Sequence, residues 1–169
     1  MVVAEFGDPA SVAIRPAVPG DAEGITRAFL DSAQYHAHLD ERYGVPPAGA
    51  VSERYREGRQ HAAEDAERSI TLVAELGGEI VGFVDVRLEQ SPDPMHREIT
   101  YCHVVEIAVG GDRQRQGIGA RLLQAAEDWG RSRGATFALL EYLANNRTAA
   151  AFYERMDYRV VSQTAIKRL

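Results

Sequence analysis

The sequence predicts one α/β domain in which a mixed sheet is flanked by helices. Three observations carry that prediction. Apolar, β-branched runs at Ile70 to Leu76 and Ile80 to Leu88 flank Gly77 and Gly78, the pattern of a hairpin. A longer apolar run, Thr100 to Val109, passes through a polar loop into a segment of helical period from Ile118, and a further apolar run follows at Phe137 to Tyr142. The 169 residues and 45% hydrophobic content suit a single domain with a sizeable core.

Taken in order, residues 1–10 read as a loose tail, which places the domain at residues 11–169. Val12 to Arg15 is a short strand ended by Pro16. Asp21 suits the N-cap of a helix running to about His38, with Ile25, Phe29 and Ala33 turned inward. Pro46, Pro47 and Gly49 break the chain. The helix expected from Ser52 to Arg68 has many charges and few large apolar residues, so most of it is expected to be solvated. The hairpin follows, then a loop from Ser91 to Arg97 containing Pro92 and Pro94, then the central strand Thr100 to Val109. The helix from Ile118 to Arg133 would bury Leu122, Ala126 and Trp129, with Gly134 at its C-cap. A strand to Tyr142, a helix from about Thr148 to Arg155 and a final strand near Tyr158 to Ile166 complete the reading.

Composition excludes more than it identifies. A net charge of −6 argues against a nucleic-acid partner, which calls for a basic field, and mildly favours cationic ones. No apolar run has the length of a signal-peptide core or a membrane span, so no membrane partner is expected and the location is read as cytoplasmic. The single cysteine, Cys102, forbids an internal disulfide and reads as a small buried filler. His36, His38 and Asp40 invite a metal reading, but positions two apart on a helix do not face each other and no wider ligand set accompanies them. No metal is expected.

The most informative stretch is VVEIAVGGDRQRQGIGARLL, Val104 to Leu123. Its strand leads through a short loop to Gly117 and Gly119 at a helix start. Glycine lets the backbone turn tightly and bring N–H groups to an oxygen-rich ligand, and the helix adds partial positive charge. A phosphate or pyrophosphate is the natural guest. A Walker A loop is excluded, since no Lys followed by Ser or Thr comes after the glycines. A dinucleotide loop would need a third glycine where Leu122 stands and glycines directly after the strand, although Glu141 does end the next apolar run.

The run Gln114 to Gly119 has the form Q/RxxGxG/A, and here the chain resembles the GCN5-related N-acetyltransferase (GNAT) family. FALLEYLANNRTAAAFYERMDYRV, Phe137 to Val160, is similar to the family's next block, with Glu141 at the strand end, Asn146 at the asparagine position and Tyr153 at the tyrosine position. IRPAVPGDAEGI, Ile14 to Ile25, is similar to its opening strand and first helix. Asp157 departs from the pattern, standing where the family usually has Gly. The resemblance implies a GNAT-like mixed, mainly antiparallel sheet flanked by helices and splayed around its central strand. It implies acetyl-CoA as cosubstrate, bound along Ile107, Ala108 and Val109 and by the loop Gln114, Arg115, Gln116, Gly117, Ile118, Gly119 and Ala120, with Asn146 and Tyr153 on the coenzyme arm. The expected activity is acetyl transfer to a primary amine by direct attack in a ternary complex. The partner is an amine acceptor, small molecule or protein, and a homodimer is an open possibility. A non-catalytic acyl-CoA sensor and a dinucleotide-binding oxidoreductase are the alternatives.

Acetyl transfer needs a proton acceptor, an oxyanion donor and an acid for the departing thiolate. Tyr153 is the family-matched acid, set against a plain packing role. Glu106 interrupts the apolar run VVEIAV, where a carboxylate is costly unless it is paired or faces a cleft. It is read as base or ammonium anchor, against a structural ion pair. His103 lies three residues earlier, on the opposite face of a regular strand, so both reach one site only across a bulge. The base is read as Glu106 or His103, or, as the resemblance implies, a water held by Glu141; the sequence does not choose among them, and Glu106 is the reading taken first. Arg113, Arg115 and Arg121 are candidates to pair with coenzyme phosphates. Tyr35 to Tyr43 is read as part of the acceptor wall.

Overall fold

The computed structural model describes residues 12–64, 67–91, 95 and 97–168. The expected tail at 1–10 and part of the Ser91 to Arg97 loop lie outside them.

Five strands form one sheet in the order β1 (Ala13–Pro16), β2 (Ser69–Leu76), β3 (Glu79–Gln90), β4 (Thr100–Val109) and β5 (Phe137–Leu140). The first three pairings are antiparallel and β4–β5 is parallel, so the sheet is mixed and mainly antiparallel as expected. Gly77 and Gly78 close the β2–β3 hairpin with φ of 60° and 86°, the two positive values a tight primed turn requires.

Helices cover both faces. On one, α3 (Ile118–Ser132) lays Leu122, Leu123, Ala126 and Trp129 against Val84, Val86, Cys102 and Val104, and α4 (Arg147–Arg155) adds Tyr153. On the other, α1 (Ala22–Leu39) and α2 (Ala48–Glu64) pack Ile25, Ala28, Val51 and Tyr55 onto Val73, Phe83 and Ala108. Asp21 stands at the N-cap position of α1, but its carboxylate accepts from Arg15 at 2.7 Å and from the Val18 N–H at 2.7 Å, which ties β1 to the helix entry.

One boundary shifts and one expectation needs correction. The charged helix exposes most of its described side chains, as expected, but it begins four residues earlier and buries Val51, Ser52 and Tyr55. Two apolar residues a turn apart suffice to seat it on the sheet, and this places Tyr55 over Phe83 at a ring separation of 5.3 Å. The final strand is not formed: residues 159–168 are exposed and have no ladder partner among the described residues. β-branched content favours a strand only where a neighbour offers its hydrogen bonds. The turn into that segment survives, because Asp157 takes the left-handed conformation, φ 64°, that glycine would otherwise supply.

Candidate active site

The β3–β4 ladder slips once. Val86 faces Val104 and Asp85 faces Glu106, which leaves Val105 as the extra residue of a bulge. Glu106 and His103 therefore stand opposite Asp85 and Arg87, two residues apart on β3, and share one face of the sheet. It is the face of Phe83 and Ala108, roofed by α1 and α2.

There Glu106 is partly buried beside Asp85. Burial, and then the charge of Asp85, push the Glu106 carboxyl above the usual carboxylate range; His36 and Arg54 pull the other way. Asp85 is also raised by burial, although Thr71 Oγ1 donates to its Oδ1 at 2.6 Å. Burial and then the two carboxylates hold the Tyr55 phenol well above its ordinary value. Arg54 lies over the rings of Phe29 and Tyr55 at 6.0 and 5.7 Å, so a cation already borders this acidic floor. His103 faces the same way but is engaged elsewhere, with Nδ1 2.9 Å from Glu89 Oε1.

The segment from Tyr35 to Tyr43 lies close enough for His36 to act on Glu106. His36 stacks on Tyr43 at 5.7 Å, and its Nδ1–H donates to Ser32 O at 2.8 Å. Tyr35 and Tyr43 remain exposed. No group of three metal-ligating side chains occurs among the described residues.

Beyond Val109 the chain turns through Gly111–Arg113, where the Gly111 N–H donates to Asp31 Oδ2 at 2.8 Å and so anchors the loop to α1. Arg115 and Gly117 have φ of 61° and 79°. Gly117 caps α3, and its carbonyl accepts the first helical bond from the Arg121 N–H at 3.2 Å. The N–H groups of Ile118, Gly119 and Ala120 precede that bond and point out of the helix end, as an anion site needs. A Cβ at Gly117 would meet nothing within 4 Å, whereas one at Gly119 would contact Phe152 at 3.6 Å and Val109 at 3.8 Å. The first glycine thus faces open space and the second faces the protein. Arg113 pairs with Asp112 at 3.3 Å.

Asn146 is 5% exposed and caps α4, accepting from the Ala149 N–H at 3.0 Å. The neighbouring Asn145 donates to Leu39 O at 2.8 Å, which joins the end of α1 to the turn before α4. Tyr153 is 8% exposed among Tyr142, Phe152 and Tyr158, with ring separations of 5.4, 5.1 and 5.8 Å. Burial, then the charge of Glu106, push its phenol up to about 12. Glu141 is exposed just past β5. Cys102 is buried, with Sγ 3.3 Å from Ala126 O, and its thiol is pushed up to about 11, as befits a filler.

Sequence reasoning missed Asp85, Tyr55, Arg54 and Thr71. Asp85 carries the same signal as Glu106, an acid inside the apolar run GFVDVRL, and could have been found by it.

Similarities to known proteins agree with this architecture. The profile of the Acetyltransferase (GNAT) family matches residues 32–158. A curated relative, the uncharacterized N-acetyltransferase YhfO of Bacillus subtilis (strain 168), is 28% identical over 146 residues, covering 86% of this chain and 88% of its own. The crystal structure of a mutant of the BH1408 protein from Bacillus halodurans superposes with a TM-score of 0.82 at 22% identity, covering 93% of this chain and 99% of that one. The aminoglycoside N-acetyltransferase AAC(6')-Iy in complex with CoA superposes with a TM-score of 0.68 at 13% identity, covering 94% of each chain. With three quarters of its length matched by the family profile, the chain belongs to the GNAT acetyltransferase family.

Proposed function

We propose that this chain is an N-acetyltransferase that moves the acetyl group of acetyl-CoA to a primary amine, by direct attack while both substrates are bound, with residues 11–169 as its catalytic domain and the cytoplasm as its location. The observation that carries this reading is the placement of Glu106 on the strand that leads to the helix end opened by Gly117. β4 runs on from Glu106 to the first N–H groups of α3, and after burial the charge of Glu106 is the next cause that raises the phenol of Tyr153 on α4. Those N–H groups suit a pyrophosphate, and the open side of Gly117 leaves room for it. Acetyl-CoA supplies an activated thioester.

Glu106 accepts the proton of the attacking amine, and its raised proton affinity suits that task near neutral pH. Tyr153 hydrogen-bonds the departing sulfur. At about 12 its phenol is too weak an acid to protonate a thiolate of ordinary proton affinity, near 8.5, without help. Part of the help comes from Glu106: once it has taken the amine proton, its negative charge, the next cause after burial holding the phenol up, is gone. Proton uptake at one residue thereby promotes proton release at the other. The acidic floor favours a cationic acceptor, and aminoglycosides, on which structural neighbours act by name, are one such class.

Acetyl-CoA turnover measured against small amines, polyamines, aminoglycosides and protein amines tests the proposal. Amine-dependent release of free CoA with at least one class is expected. CoA binding without turnover in every class would overturn it in favour of a sensor.

A further inference from the structure

α1 is held at two points that straddle the site. Asp31 accepts from the Gly111 N–H just past the end of β4, and Leu39 O accepts from the Asn145 side chain just before α4. Between these anchors the helix spans the region where the β4–β5 pairing has stopped at Val104 and Leu140. Ile25, Phe29, Ser32 and His36 recur at i, i+4, i+7 and i+11, so they share the inward face of the helix. Ile25 and Phe29 pack over the sheet. His36 continues the same stripe, and its charge acts on Glu106. Its Nδ1–H donates to Ser32 O at 2.8 Å, which fixes the neutral tautomer and leaves Nε2 with its lone pair. Tyr43 stacks on the ring at 5.7 Å and Tyr35 meets it edge-on at 6.2 Å. Both tyrosines are exposed and His36 is half-buried, so the ring stands between the acidic floor and solvent.

Acetyl transfer to an amine leaves one proton over. A primary amine of ordinary proton affinity, about 10.4 for a lysine, is ammonium near neutral pH, so its nitrogen sheds two protons on becoming an amide. One is matched by the proton that the departing thiolate gains. The other must leave the site. Glu106 holds one proton at a time, so it has to be emptied before it takes the second. Asp85 is a poor outlet, because burial raises its proton affinity too and Thr71 Oγ1 already occupies one of its oxygens. We infer that His36 empties Glu106: Nε2 takes the proton that Glu106 removed from the ammonium, and the imidazolium so formed releases it to water. The C–N bond then forms and the C–S bond breaks; the second amine proton goes to Glu106 and replaces, at Tyr153, the one given to the sulfur. Ammonium and thioester thus become amide, thiol and one proton in solution. Imidazole suits the task because it charges and discharges between about pH 5 and 8. Of the other charges nearby, Asp85 on β3 and Arg54 on α2 act on Glu106 with opposite sign, and Asp40, just past α1, is taken by Arg42 at 2.6 Å. The inference rests on the acetyl-transfer reading and adds to it a proton acceptor behind Glu106.

Chemical rescue tests the inference. His36→Ala takes away the acceptor and leaves space beside Tyr43, so amine-dependent release of CoA in weak buffer is expected to fall about 10²-fold with the acetyl-CoA KM unchanged. Added imidazole is expected to restore the rate in proportion to its free base. A folded His36→Ala chain with wild-type turnover overturns the inference, and so does a slow one that imidazole leaves slow. Should His36→Ala fail to fold, NMR titration of the His36 ring in the wild-type and Glu106→Gln chains decides. The midpoint is expected about half a pH unit lower in Glu106→Gln, because the carboxylate that favours imidazolium is gone. Identical midpoints overturn the inference. A wild-type chain that turns over no amine removes the acetyl-transfer reading and the inference with it, whereas failed rescue removes the inference alone.

Discussion

Tyr153 combines a packing role with the proposed acid role, because its ring packs among three other aromatics while its oxygen sits in the field of Glu106. The jobs separate by substitution. Tyr153→Phe removes one oxygen and little volume, so the melting temperature is expected to stay near wild type while turnover falls about 10²-fold. Tyr153→Ala empties a buried ring site and is expected to cost about 3–5 kcal/mol of stability as well. Turnover and thermal melting on both variants check this; wild-type turnover in Tyr153→Phe, with chemistry shown to limit the rate, removes the acid role. Glu106 is tested by pH. Its proton affinity is raised, so the rate is expected to climb with pH through a limb lying above the free-carboxylate value of about 4.3. Glu106→Gln should abolish that limb and lower kcat, whereas loss of an ammonium anchor alone would mainly raise KM. His103, tied to Glu89, is expected to leave the limb in place when changed to Gln.

At the scale of elements, the glycine loop separates what two similar residues do. Gly117 holds a left-handed conformation with open space beyond its Cα, so Gly117→Ala adds both backbone strain and a methyl group on the ligand side. Gly119 has ordinary backbone and faces Phe152, so Gly119→Ala adds only a normal packing contact. Calorimetry with CoA is expected to show at least about a tenfold weaker Kd for Gly117→Ala, the equivalent of roughly 1.4 kcal/mol, and little change for Gly119→Ala. Equal losses would refute the cradle geometry.

This part of the chain is legible because glycine and helical period both leave marks in a sequence. β4, α3 and α4 announce themselves by apolar runs, an inward stripe and an asparagine cap. The bulge at Val105 leaves no such mark, since Val104 and Val105 are equally at home in a regular strand, yet it decides that Glu106 and His103 share a face. The buried side of α2 is hidden because its few apolar residues are outnumbered by charges, and Tyr55 and Arg54 are hidden with it. The segment 159–168 has strand composition, but pairing depends on a neighbour that composition cannot supply.

For the molecule as a whole, the acidic floor carries a cost that depends on pH. Asp85 and Glu106 bind protons more tightly when folded than as free side chains, so the folded state holds more protons than the unfolded one and stability falls as pH rises through and above the ordinary carboxylate range. Groups of the opposite kind exist: Arg42 holds the Asp40 carboxyl down at about 2, which favours the folded state as pH rises. A wild-type melting curve mixes the two, and only a difference between variants isolates the floor. Asp85→Asn keeps an oxygen to accept from Thr71 Oγ1 and removes the charge. It is expected to melt above wild type at pH 7.5, with each kcal/mol gained worth about 2–4 °C, and to lose that advantage progressively as pH falls to and below the free-carboxylate value of about 3.9, where Asp85 becomes protonated in both states. The same substitution leaves burial, the larger cause of the raised Glu106 proton affinity, and takes away the second, the charge of Asp85, so the acidic limb of the rate profile should move part of the way to lower pH. Asp85→Asn with an unmoved limb and a pH-independent melting difference would show that the two carboxylates do not interact, and Glu106 would then owe its raised proton affinity to burial alone.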